Sequence, residues 1–258
     1  MHKAEKNISI LGCGWLGFPL ATYLVEKGFS VKGSTRTAYK NQLLGLKGVH
    51  PYLIDIDQMS SIDSEFFATD VLVVAIPSKN SEGFVQLIAQ IEQTSLQNVI
   101  FISATSVYPP SKEVVKESDA TLDTPLARIE ELFMNAKGLN TTIVRFGGLY
   151  GPGRNPGNFF KNGRVIQNPE GVVNMIHQED CLAIIHEIIQ RGVENDIFNA
   201  CGDTHPTRRV FYTNAKQKLG LDAPAFEEGQ PIVVKEISSE KLKRKLKYAF
   251  KYADILHS

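Results

Sequence analysis

The sequence predicts an α/β protein with a doubly wound parallel sheet, and three observations predict it. Short apolar runs rich in β-branched residues alternate with stretches of helical periodicity from end to end. The first of these runs breaks through three spaced glycines straight into a helical pattern. The length, 258 residues, suffices for one large α/β domain or for a core with a small appended lobe.

The elements follow in order. Ile8–Leu11 reads as a strand, and Leu20, Ala21, Leu24 and Val25 then give helical spacing up to Gly28, a C-terminal stop. Strands are expected at Phe29–Lys32, His50–Ile56, Val71–Ile76, Val99–Ser103 and Thr141–Arg145. Helices are expected at Glu82–Glu92 and Pro125–Lys137, the latter capped by Thr124 with Pro125 in its first turn. Beyond Tyr150 the texture changes, because 151–157 and Asn162–Gly171 are rich in breakers and read as loop over a pocket. Order returns with a helix at Asp180–Gln190, a strand at Ile197–Ala200 and a helix at Arg208–Leu219. A strand at Ile232–Ile237 and a basic helix at Ser239–Leu246 close the chain. The expected division is a core over 1–150 and a small C-terminal α/β lobe over 151–258, with residues 180–200 returning to the core.

Bulk properties exclude several functions. With 28 basic and 28 acidic residues the net charge is zero, which is not the footprint of a nucleic-acid or membrane-surface binder. A small polar ligand suits it better. The basic run Lys241–Lys247 carries Leu242 and Leu246 at i, i+4 and reads as a solvated amphipathic helix. Three dispersed cysteines, Cys13, Cys181 and Cys201, form no CxxC pattern, so neither disulfides nor structural zinc is expected, and no metal site. The N-terminal Met1–Asn7 is charged and short, and no apolar run reaches about 18 residues. A cytoplasmic protein is the expectation; oligomeric state stays open.

The glycine turn carries the chemistry. Gly12 can take a tight turn, Gly14 has no Cβ to hold a pyrophosphate off the backbone, and Gly17 lets the helix pack closely on the strand. The helix start then offers free N–H groups and a partial positive charge. This marks a dinucleotide site of Rossmann type.

Several segments in order resemble the short-chain dehydrogenase/reductase superfamily, in its extended NAD-dependent epimerase/dehydratase branch. They are Leu11–Gly17, Ala75-Ile76-Pro77, Ile102–Tyr108, Arg145–Gly153, Asn174–Asp180 and Ile197–Asn199, which together span nearly the whole chain. The chain is shorter than is usual there and resembles atypical members with a reduced C-terminal lobe. The resemblance implies that Gly12, Gly14, Trp15, Leu16 and Gly17 hold the pyrophosphate, with Asp55 and Ile56 by the adenine. It implies Ala75, Ile76 and Pro77 by the ribose and pyrophosphate, Ser103 along the cofactor, and Phe146 and Gly147 near the nicotinamide.

The cofactor's identity is read after the second strand, where an NAD site usually places an acid on the ribose 2′-hydroxyl. Gly33–Thr37 contains none. Ser34 and Thr35 can donate hydrogen bonds and Arg36 can meet a 2′-phosphate, so NADP(H) is favoured over NAD(H), which stays open.

The resembled family's catalysts are absent. Its chemistry uses a Tyr and a Lys four residues later, the Lys helping to lower a phenol pKa near 10 by about three units, roughly 4 kcal/mol. Residues 109–149 contain no tyrosine. The usual catalytic hydroxyl falls on Ala104, leaving Tyr108, Thr105 and Ser106 as weaker candidates. Arg154 and His177 are candidates for substrate contact. Two readings remain: an epimerase/dehydratase- or reductase-like protein acting on a small molecule such as a sugar or carbonyl compound, or a non-catalytic NADP(H)-sensing or interaction module.

Overall fold

The computed structural model describes residues 6–58, 62–160, 163–229 and 231–257. Met1–Glu5 of the charged N-terminal segment and Asn162 of the expected loop lie outside them. The sheet has seven strands: β1 (Asn7–Leu11), β2 (Ser30–Thr35), β3 (His50–Leu53), β4 (Val71–Val74), β5 (Asn98–Ala104), β6 (Asn140–Phe146) and β9 (Ile197–Ala200). Their order is β3-β2-β1-β4-β5-β6-β9, and the pairings from β3 to β5 are parallel. The order reverses beside β1, at the switch point where open α/β sheets take their ligands.

Connecting helices are α1 (Gly17–Glu26), α2 (Ala38–Leu46), α3 (Ser81–Ile91), α4 (Pro125–Asn135) and α5 (Gln178–Arg191). Both faces of the sheet are covered. Leu72 and Val74 join a buried cluster with Phe84 and Leu87 of α3 and Ile129 and Phe133 of α4. Val71 and Val73, equally buried, alternate to the opposite face. Phe84, Phe101 and Phe133 pack ring to ring with centroids 4.9–6.0 Å apart, each contact adding about 0.5–1.5 kcal/mol to simple burial.

Several expected boundaries are explained locally. Gly28 ends α1 at φ +85°, and Thr124 caps α4 by accepting from Ala127 N at 3.2 Å. Helix α2 was not expected from the sequence, because only Leu44 of it is buried and no apolar stripe marks it. Nor were β7 (Gly148–Tyr150) and β8 (Met175–His177), whose three residues each are too short for a period to show.

The strand expected at Ile232–Ile237 is corrected. Asn168 holds both backbone groups of Val233, and Asn174 takes Lys235 O and Ile237 N. With those groups spent on side-chain amides, only a single bridge, Val115 to Ile237, forms.

The chain forms two compact units, neither a continuous stretch. The first holds the described residues up to Ser103 with Asp123–Val144 and Ile185–Ile197; the second holds Ala104–Leu122, Arg145–Ile184 and the described residues from Phe198 onward. Helices α6 (Arg208–Gln217) and α7 (Glu240–Leu246) belong to the second. Asp180, in the first turn of α5, pins its C-terminal segment by accepting from Tyr248 Oη, Lys251 N and Tyr252 N at 2.7–3.0 Å. No helix among the described residues is long and apolar enough to cross a membrane.

Candidate functional site

The first unit contains a pocket of about 420 Å³ at the carboxyl ends of β1, β2, β3 and β4. It brings together Gly12, Gly14, Thr35, Arg36, Asp55, Ile56, Ala75, Ile76 and Pro77, which the sequence had nominated from four separate segments.

The three glycines have different jobs. Gly12 sits at φ +102°, and a Cβ there would lie 2.4 Å from Ile76 Cγ2 and 2.9 Å from Ala75 O. At Gly17 a Cβ would lie 2.2 Å from Gly12 O, so this glycine lets α1 pack on the turn. A Cβ at Gly14 would meet nothing within 4 Å. That residue is therefore not required by the protein's own packing, and it faces the space a ligand would use.

Helix ends reinforce this reading. Asn80, Thr124 and Thr207 each cap their helices with a side-chain oxygen. By contrast, α1 and α2 have no side-chain cap and no acid in the first turn. Thr37 and Lys40 at the start of α2 line the pocket, and α1 follows directly on the glycine turn that lines it, so the amide ends and positive dipoles of both helices are left for an external anion. The residues fit a dinucleotide: a glycine cradle for the pyrophosphate, Asp55 and Ile56 beyond it, and cations at the start of α2.

Other nominated residues are placed differently. Ser34 is 1% exposed and its Oγ accepts from Gly12 N at 2.9 Å, so it shapes the turn and is not presented to a ligand. Trp15 and Leu16 lie at the start of α1, Leu16 buried and Trp15 half-buried, and neither lines the pocket. Ser103 is buried and donates to Glu130 Oε1 at 2.5 Å.

The pocket also recruits residues that the sequence had not singled out. Thr37 and Lys40 join Arg36, Lys40 from the first turn of α2. Asp57 lines the pocket too, accepting from Ser78 Oγ and Asn80 Nδ2 at 3.1 Å each. Cys13 is 2% exposed, and burial pushes its thiol up to about 12, so it is no nucleophile.

The second unit holds the nominated hydroxyls, and its geometry corrects the most promising one. Tyr108 is 1% exposed. Its hydroxyl donates to Asn199 Oδ1 at 2.9 Å and accepts from Arg145 Nη1 at 2.5 Å, while Asn199 N donates to Glu117 Oε1. Burial raises the phenol's pKa, and the Arg145 charge only partly offsets that. A phenol so enclosed has no proton to exchange with a substrate, and Arg145 is its structural partner.

Thr105 is buried and Ser106 exposed. Lys235 Nζ donates to the backbone oxygens of Thr105 and Tyr108 at 3.2 and 3.0 Å and braces that turn. Phe146 is buried, and Gly147 is required by packing, since a Cβ would lie 2.6 Å from Asn174 O. Arg154 is exposed, its guanidinium 5.8 Å from the Phe159 ring centre. His177 is buried against Tyr150 and Tyr252.

A glycine cradle at a sheet switch point, under two uncapped helices, defines a dinucleotide-binding protein of Rossmann type. Comparison with known proteins agrees: a family model described as NAD(P)H-binding matches residues 12–190. The chain belongs to that family. It is 31% identical over 272 residues to Protein YeeZ of Escherichia coli strain K12, covering 97% of this chain and 98% of that one. Among solved structures, a conserved protein of unknown function from Silicibacter pomeroyi superposes with a TM-score of 0.80 at 19% identity, covering 98% of this chain and 96% of that chain. UDP-glucuronic acid 4-epimerase from Bacillus cereus, solved with UDP-glucuronic acid and NAD, gives a TM-score of 0.78 at 17% identity over 97% and 96% of the two chains. The fold is thus epimerase/dehydratase-like, and the cofactor a nicotinamide dinucleotide.

Proposed function

We propose that the protein binds NADP(H) and uses it on a small polar substrate such as a sugar or carbonyl compound. The observation that carries the choice of NADP(H) is the start of α2. No acid stands at the end of β2, the helix has no cap, and Arg36 and Lys40 line the pocket with no carboxylate partner among the described residues. A 2′-phosphate there would meet two cations and a helix N-terminus, whereas a carboxylate would repel it. Gly12, Gly14 and the α1 amides would hold the pyrophosphate, and Asp55 and Ile56 the adenosine end.

The bound dinucleotide would supply hydride chemistry. This chain's own residues supply orientation, and no Tyr–Lys pair supplies the proton. Losing a positioned acid costs about 10²–10⁴ in rate, so turnover is expected to be slow, with the proton arriving through water.

The fully bonded hydroxyl of Tyr108 also favours a second reading, a non-catalytic NADP(H)-sensing module. Fluorescence titration with NADPH and NADH, on the wild type and on Arg36→Ala and Lys40→Ala, tests the cofactor. An NADPH preference that both variants leave unchanged would overturn it. Sustained NADPH oxidation against a panel of sugars and carbonyl compounds supports the enzyme; tight binding without turnover supports the sensor.

A further inference from the structure

The second unit contains a cavity of its own, of about 210 Å³, beside the end of β7, residues 155–156 and α6. Tyr150, Pro156, Phe211, Ala215 and Ile255 give it apolar walls. Among the described residues no carboxylate lines it, and Lys218 is the one charged side chain that does.

His177 supplies a donor. Its ring is 9% exposed and clamped, with centroids 5.1 Å from Tyr150 and 3.7 Å from Tyr252. Nδ1 accepts from Glu179 N at 3.2 Å, so the neutral ring carries its proton on Nε2. A Cβ built on Gly151, which lines the cavity, would lie 3.3 Å from that Nε2, which puts the nitrogen at the cavity wall. Among the described residues Nε2 has no acceptor. Asn214 adds an amide at the wall, and Lys218 Nζ donates to Leu256 O at 2.7 Å.

We propose that this cavity binds a small carboxylic acid with an apolar body. The carboxylate accepts from His177 Nε2–H and lies in the field of Lys218, and the hydrocarbon part rests against Phe211 and Ile255. At about 210 Å³ the cavity is smaller than drug-sized ligand sites of about 300–1,000 Å³ and suits a molecule of the size of benzoate. An inorganic anion would leave the apolar walls uncovered and its own charge half solvated, so it fits less well. The site stands independently of the dinucleotide reading.

Calorimetric titration of the full-length protein with benzoate, benzamide and inorganic phosphate tests this. Benzoate is expected to bind and to raise the melting temperature, with benzamide and phosphate at least about tenfold weaker. Ala215→Leu, which fills the cavity, and His177→Phe, which keeps the ring and removes the donor, should each weaken benzoate about tenfold or more. Lys218→Met, at an exposed position, gives the same readout if His177→Phe does not fold. No benzoate binding at millimolar concentration, equal binding of benzamide, or unchanged affinity in Ala215→Leu would each overturn the proposal.

Discussion

The glycine pocket of the first unit and the Tyr108 cluster of the second use polar groups in opposite ways. In the pocket the chain leaves groups unspent: α1 and α2 start without caps, and Arg36 and Lys40 have no carboxylate partner among the described residues. In the cluster the groups consume one another, since Tyr108, Asn199, Arg145 and Glu117 are joined by hydrogen bonds. A residue type does not announce its role. The Tyr108 hydroxyl is framework because both its donor and its acceptor capacity are taken by buried neighbours, and a buried polar group without a partner is costly.

Substitutions can break or sharpen that contrast. The largest effect is expected from Gly14→Val, at a position where a Cβ would meet no protein atom within 4 Å. Urea unfolding should show stability within about 1 kcal/mol of wild type, while NADPH affinity falls at least about 100-fold, near 2.7 kcal/mol. Full retention of affinity would mean that Gly14 is not the cradle. Tyr108→Phe should do the reverse, costing about 1–3 kcal/mol in urea unfolding because buried partners lose their bond, with NADPH affinity unchanged. Lost turnover at intact stability would instead return the phenol to the chemistry.

Smaller effects belong to Arg36→Ala and Lys40→Ala. Each should lower the NADPH-over-NADH preference about fivefold, since exposed charge contacts contribute about 1 kcal/mol. The smallest is a thiol test of Cys13. Burial holds it near 12, so native protein should resist alkylation at mildly alkaline pH and react once unfolded. With the folded value raised, the unfolded chain ionises first, and stability should fall as pH climbs from the ordinary 9.0 toward 12. Rapid native alkylation would show the turn to be open.

Much of the pocket was legible in the sequence. Gly12, Gly14 and Gly17 act through steric limits on a few adjacent residues, and Ala75-Ile76-Pro77 follows an unmistakable buried strand, so spacing suffices. Lys40 and α2 were not legible, because an exposed helix carries no apolar stripe. Ser34 was nominated as a donor, but its hydroxyl accepts from a residue 22 positions away, and nothing local records that. Tyr108 and Asn199 stand 91 positions apart, Tyr108 and Arg145 37 apart.

Sequence alone determined the α/β alternation, the glycine turn, the missing acid after β2 and the missing Tyr–Lys pair. Each rests on backbone sterics or on the presence of a residue type within one segment. Only the tertiary structure decided which polar groups are spent and which are offered, whether at α1 and α2, at Tyr108 or at His177. Hydrogen bonding and burial are settled by neighbours brought from far along the chain, and a group's chemistry is whatever those neighbours leave it.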